Sequence, residues 1–159
     1  MFKKTFDRIR IYWIAIAVAL IDQYMKHLVR ANLPLRGSWN PFPWLAPYIQ
    51  VTYITNTGAA FGLFKEWGNV LAIVSIVTIV AIIVYYGNLS ARPWQLTLAL
   101  GMQLGGAIGN LIDRLVFGAV TSFVDMHVWP VFSVADACIV VGVVTLAITL
   151  VREPKPSTK

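Results

Sequence analysis

Charge is scarce in this chain. Only 13% of its residues carry one, where soluble domains carry about 25%, and the shortage excludes an ordinary soluble domain. Cysteine is scarcer still. Cys138 stands alone inside an apolar run, so no intramolecular disulfide can form and no cysteine metal site has its ligands; it reads as a small packing residue. His27 and His127 show neither HxxxH nor HExxH spacing, which leaves no histidine metal motif. Acid is the minority sign, with seven Asp and Glu against thirteen Lys and Arg. That excess of base does not read as nucleic-acid binding, because the basic residues collect near the termini and no basic-aromatic stripe accompanies them. No internal repeat or low-complexity tract is present. The length of 159 residues leaves room for one integral membrane domain, 1–159, and no second domain.

What the chain has in abundance is long apolar runs, with 58% hydrophobic residues and a mean hydropathy of +0.70. Crossing about 30 Å of hydrocarbon takes about 20 mostly apolar residues. Runs at 11–29, 70–86, 94–112 and 134–151 predict an all-α membrane protein of four transmembrane helices, with a polar tail at 152–159. Lys3, Lys4, Arg8 and Arg10 with Ala17-Val18-Ala19 imitate a signal peptide. The apolar stretch before those alanines is too short, however, and hydrophobicity continues through Leu20 and Ile21. The first run is therefore expected to stay as a span. Eight of the thirteen basic residues (Lys3, Lys4, Arg8, Arg10, Arg92, Arg152, Lys155 and Lys159) fall on one side of such a bundle. The positive-inside rule makes that side cytoplasmic and puts both termini there. Between the first two runs, residues 48–55 are β-branched and aromatic and read as strand. Trp39, Phe42 and Trp44 among Pro34, Pro41, Pro43 and Pro47 suit an interface and exclude a long helix. A small outer-face β-sheet is expected there. Gly101, Gly105 and Gly109 recur at the spacing of close helix packing.

Four acids, Asp22, Asp113, Asp125 and Asp136, lie in or beside spans, all at the outward end of the bundle. A carboxylate near hydrocarbon calls for a function or a named partner. Asp22 and Lys26 are i, i+4 neighbours and can pair. Asn110, Asp113 and Arg114 share a helix face, and Arg114 can neutralise an acid or hold a phosphate; tying helices together is the alternative for both groups. Asp125 and Asp136 have no cation within helical reach. Two acids sharing a site keep one protonated while the other accepts a proton, which activates water for attack on an amide. Ser122, Ser133 and His127 can be arranged on paper as a serine hydrolase, but no G-x-S-x-G elbow supports it.

The chain resembles the lipoprotein signal peptidase (signal peptidase II) family of bacterial intramembrane aspartyl proteases. The resemblance rests on four stretches in order: Asp22-Gln23-Tyr24-Met25-Lys26, Asn56-Thr57-Gly58-Ala59-Ala60-Phe61, Gly106 to Arg114 (GAIGNLIDR) and Trp129 to Asp136 (WPVFSVAD). It implies cleavage of a lipidated prolipoprotein before a diacylglyceryl-modified cysteine, at the outer face of the cytoplasmic membrane, by a monomer among membrane lipids and without metal or cofactor. It makes Asp136 one of two catalytic aspartates. It places Asn56, Gly58, Asn110 and Arg114 at or behind the substrate site, together with Asp22, Lys26, Asp113 and the residue at 133.

Two positions depart from the family pattern. The other catalytic aspartate normally sits in a V-V-D-F-I run, which here reads Val120-Thr121-Ser122-Phe123-Val124, and the usual asparagine before Asp136 is Ser133. Asp125 is a replacement acid if the backbone turns there; on a strand, residues three apart face opposite sides. Otherwise Ser122 holds a water and Asp136 works alone. Three functions follow: a prolipoprotein signal peptidase, a non-catalytic relative that binds lipidated signal segments, or a small transporter or channel using the four acids.

Overall fold

The computed structural model describes residues 2–56, 68–89 and 93–152. Its elements run α1 (Phe2–Asn32), β1 (Ser38–Trp39), β2 (Gln50–Asn56), α2 (Gly68–Asn88), α3 (Trp94–Phe117), β3 (Val120–Asp125) and α4 (Val134–Arg152). The strands form one antiparallel sheet in the order β1-β2-β3.

Helix α3 is the centre of the bundle and packs against each of the other three helices. Its glycines explain how. A Cβ on Gly105 would lie 2.6 Å from the Ala15 carbonyl oxygen of α1, and one on Gly106 would lie 2.5 Å from the Ala135 carbonyl oxygen of α4. Backbones come that close only where no side chain intervenes. Ile11 and Ala15 of α1, Ile82 and Tyr86 of α2, and Leu96, Leu100 and Leu104 of α3 fill the core.

Two helices, Asn69–Asn88 and Val134–Arg152, are long and apolar enough to cross a membrane, with mean hydropathies of 2.6 and 2.5. The runs at 11–29 and 94–112 also lie in long helices, but their polar residues lower the hydropathy. Those residues turn inward: Asp22, Lys26 and Asp113 are completely buried, while Trp13, Ile16 and Leu20 of α1 are exposed.

The strand expected at 48–55 occupies Gln50–Asn56. Its other partner, β3, arrives from beyond α3. Gly118 ends that helix at φ +73°, its N–H donating to the Arg114 carbonyl, a left-handed cap that glycine adopts without strain. The β2–β3 register pairs Gln50 with Asp125, Ile54 with Ser122 and Asn56 with Val120. Between Val51 and Ile54 the register shifts by one residue, a bulge that changes which side of β2 faces which side of β3.

Candidate active site

Four polar residues of α1, one helical turn or less apart, reach into the bundle. Lys26 Nζ lies 2.7 Å from Asp22 Oδ2 and 3.2 Å from Asp113 Oδ2, and it donates to Asn110 Oδ1 at 3.0 Å. All three ammonium protons therefore have a partner. Asp22 Oδ1 accepts from the Ala135 N–H of α4 at 2.8 Å. Asp113 Oδ2 accepts from the Thr121 N–H of β3 at 2.8 Å. Gln23 donates to Asp113 Oδ1 and to the Gly109 carbonyl. Arg30 donates to Thr121 Oγ1 at 2.9 Å and stacks on Phe117 with its guanidinium 4.1 Å from the ring centre. Gly109 belongs to the same device, because a Cβ there would lie 2.7 Å from Asp22 Oδ2. Two acids and two bases thus join α1, α3, α4 and β3 in one neutral, hydrogen-bonded cluster.

Asp136 stands in front of this cluster, in the first turn of α4. Its Oδ1 accepts from Asn110 Nδ2 at 2.8 Å. Since Lys26 occupies Asn110 Oδ1, the amide can present only its NH2 to Asp136. Oδ2 accepts from both the N–H and the hydroxyl of Ser133 at 2.8 Å, and the Asp136 N–H returns a bond to Ser133 Oγ at 3.3 Å. That is a reciprocal capping box, which the S-x-x-D spacing favours. In front of Asp136 lies a cavity of about 300 Å³ between α2, α3 and α4, lined by Ser75, Thr78, Gln103, Asn110, Arg114 and Ile139 among others. Arg114 is steadied there by Ser75 Oγ at 3.3 Å and the Asn110 carbonyl at 3.4 Å.

The other expected acid position is different in kind. Ser122 is buried on β3, and its hydroxyl makes no hydrogen bond to a described residue. Asp125 does not meet the condition set for a replacement acid. Val120–Asp125 is a strand, so Asp125 faces away from Ser122. Its carboxylate is also already engaged: Gln50 at 3.0 Å and Thr52 at 2.9 Å donate to Oδ2, and the His127 N–H donates to Oδ1 at 2.9 Å. Burial pushes the Asp125 carboxyl up, but the hydrogen bonds from Gln50, the His127 amide and Thr52 outweigh it and hold the group below the ordinary carboxylate value.

Of the residues expected to touch substrate, Asn110 and Arg114 line the cavity. Asp22, Lys26, Asp113 and Ser133 stand behind them. Each is completely buried and is spent on the helices or on Asp136, so they lie behind the cavity wall. Asn56 ends β2, paired with Val120, and Gly58 lies outside the described residues. Sequence reasoning passed over Gln23, Arg30, Ser75 and Gln103. The signal for Arg30 was present, since Asp22, Lys26 and Arg30 repeat every four residues on one helix face. Among the described residues no group of three or more His, Cys, Asp or Glu is arranged to hold a metal ion.

The model of the family described as Signal peptidase (SPase) II matches residues 14–152. A lipoprotein signal peptidase of Moorella thermoacetica is 41% identical over 133 residues, covering 84% of this chain and 87% of that protein. The one from Halothermothrix orenii is 34% identical, covering 91% and 97%, and the one from Pelotomaculum thermopropionicum is 37% identical, covering 94% and 96%. Among solved structures, a bacterial membrane enzyme determined by the in meso method superposes with a TM-score of 0.81 at 25% identity, covering 91% of this chain and 94% of that one. With relatives this similar along nearly their whole length, and a family match reaching from α1 to the end of α4, this chain belongs to the signal peptidase II family.

Proposed function

We propose that this protein is an aspartic endopeptidase that removes the signal peptide of a prolipoprotein before a diacylglyceryl-modified cysteine. The observation that carries the reading is Asp136, oriented by Asn110 and Ser133 and open to the cavity between α2, α3 and α4. In this reading all four helices span the cytoplasmic membrane, both termini are cytoplasmic, and Asp136 lies near the outer face. The signal peptide enters the cavity with its scissile carbonyl beside Asp136. Asp136 accepts a proton from water as the water oxygen attacks the carbonyl carbon, then passes that proton to the departing amine as the C–N bond breaks. Arg114 has guanidinium protons left to steady the oxyanion, and Ser122 holds the water. A serine cannot act as a second carboxyl, so turnover is expected to be slow.

That same serine favours a second reading, a non-catalytic relative that binds lipidated signal segments. Incubating the purified protein with a lipidated prolipoprotein and following release of the signal peptide separates the two. The peptidase reading expects slow cleavage, lost in Asp136→Asn and accelerated in Ser122→Asp. Cleavage that survives Asp136→Asn overturns the aspartate mechanism. An inert wild type that gains cleavage as Ser122→Asp makes the binding reading correct. A transporter using the four acids finds no support, since Asp22 and Asp113 are neutralised in the cluster and Asp125 is bound into the sheet.

A further inference from the structure

The cavity beside Asp136 holds a polar group that the reaction above does not use. Gln103 precedes Asn110 by seven residues, two helical turns, on nearly the same face of α3 and about 10.5 Å deeper along its axis. It lines the same cavity as Asp136 and Thr78. Its stem is fixed by α4, where Gly142 leaves the space it needs: a Cβ on Gly142 would lie 2.7 Å from Gln103 Cγ. Its head is not fixed. Nε2 is buried and has no hydrogen-bond partner among the described residues.

A buried polar group without a partner is costly away from water. The neighbouring hydroxyls avoid that cost locally, Ser75 donating to the Leu71 carbonyl and Thr78 to the Val74 carbonyl, each at 2.8 Å. Gln103 has no such bond to lose, so turning its carboxamide to present either end to the cavity breaks nothing. A carboxamide offers both a donor and an acceptor, which is the complement of a main-chain amide. An extended peptide inside a membrane brings unpaired main-chain amides with it. At about 3.3 Å per extended residue, the depth of Gln103 below Asn110 corresponds to about three residues.

We propose that Gln103 is a substrate-binding residue whose carboxamide hydrogen-bonds a main-chain amide of the signal peptide about three residues before the cleaved bond. The inference rests on the reading that the signal peptide occupies this cavity. It explains how the site grips segments of differing sequence, because the contact is to backbone.

The test is the affinity of the full-length protein in nanodiscs for a lipidated prolipoprotein, wild type against Gln103→Met, a variant of similar size without the amide. Binding is expected to weaken about tenfold, the worth of one hydrogen bond of about 1.4 kcal/mol, with kcat unchanged and KM raised wherever cleavage is measurable. A second arm needs no variant. Replacing successive amides of a synthetic lipidated substrate by esters is expected to weaken wild-type binding at one position about three residues before the cleaved bond, and to leave Gln103→Met indifferent there. Equal affinity of the two proteins, or no ester-sensitive position, overturns the assignment. A wild type that binds but never cleaves ends the peptidase reading alone, and one that does not bind ends both.

Discussion

Lys26 is the residue on which the others depend. It is the cation between Asp22 and Asp113, and through Asn110 it decides which end of an amide Asp136 meets. Lys26→Met removes one charge, leaves buried Asp22 without a cation and leaves Asp113 only Arg30, at 3.5 Å. Breaking a buried ion pair by removing one partner costs about 3–5 kcal/mol, so a large drop in thermal unfolding temperature in detergent is expected. An unchanged melting point shows that the cluster does not hold the helices. Asp125 makes a prediction of the opposite sign of charge. Its carboxyl is held below the ordinary value in the folded protein. It therefore adds stability that is complete above the unfolded value and is lost as pH falls through the folded one. Melting curves from pH 7 down to about 2 are expected to show this loss below about pH 4, with Asp125→Asn less stable at pH 7 and flatter toward acid. Parallel curves for the two proteins contradict it.

At the scale of elements, the helices were easier to read than the sheet. α2 and α4 are nearly uninterrupted apolar runs, and the capping serine and the Gly118 stop lie where local rules place them. β3 was not legible. Its first four residues are buried on both faces, so the alternation that reveals a strand is missing, and its partner Gln50 lies 75 residues away from Asp125. That one omission left Asp125 open as a replacement acid, because only the strand sets its direction. The glycine spacing in α3 was legible as close packing, and it predicts a measurable cost. Gly105→Val drives a branched side chain into the Ala15 carbonyl and Val18. Overpacking of this kind costs about 1–3 kcal/mol, whereas the same substitution at Gly87, where an added Cβ would meet no atom within 4 Å, is expected to cost less than half as much by the same melting assay. Comparable losses at both positions would mean that α1 and α3 are not in backbone contact.

Among the described residues the helices turn Asp22, Lys26 and Asp113 inward and offer hydrocarbon outside, and this is why composition revealed a membrane protein while hydropathy alone singles out two helices. α1 and α3 can span a membrane only if the cluster remains intact, since Asp22, Lys26 and Asp113 face the bundle and not lipid. The aromatic residues Trp39, Trp44, Tyr48 and Trp129 are exposed around the sheet, where an interface would accept them. Four spans then require both termini on one side and the sheet on the other. Cysteines placed singly at Trp129 and at Lys159, in a Cys138→Ser background, test this in sealed vesicles with a membrane-impermeant thiol reagent. In vesicles whose outside corresponds to the outer face, Trp129→Cys is expected to react at once and Lys159→Cys only after the membrane is permeabilised. Equal reaction of both before permeabilisation puts Trp129 and Lys159 on one side, which a single crossing by α4 between them does not allow. Adding Lys26→Met extends the prediction to the cluster: with Asp22 left without its cation and Asp113 left with Arg30 alone, α1 is expected to insert poorly, and the side-specific labelling of Trp129→Cys is expected to be lost in proportion.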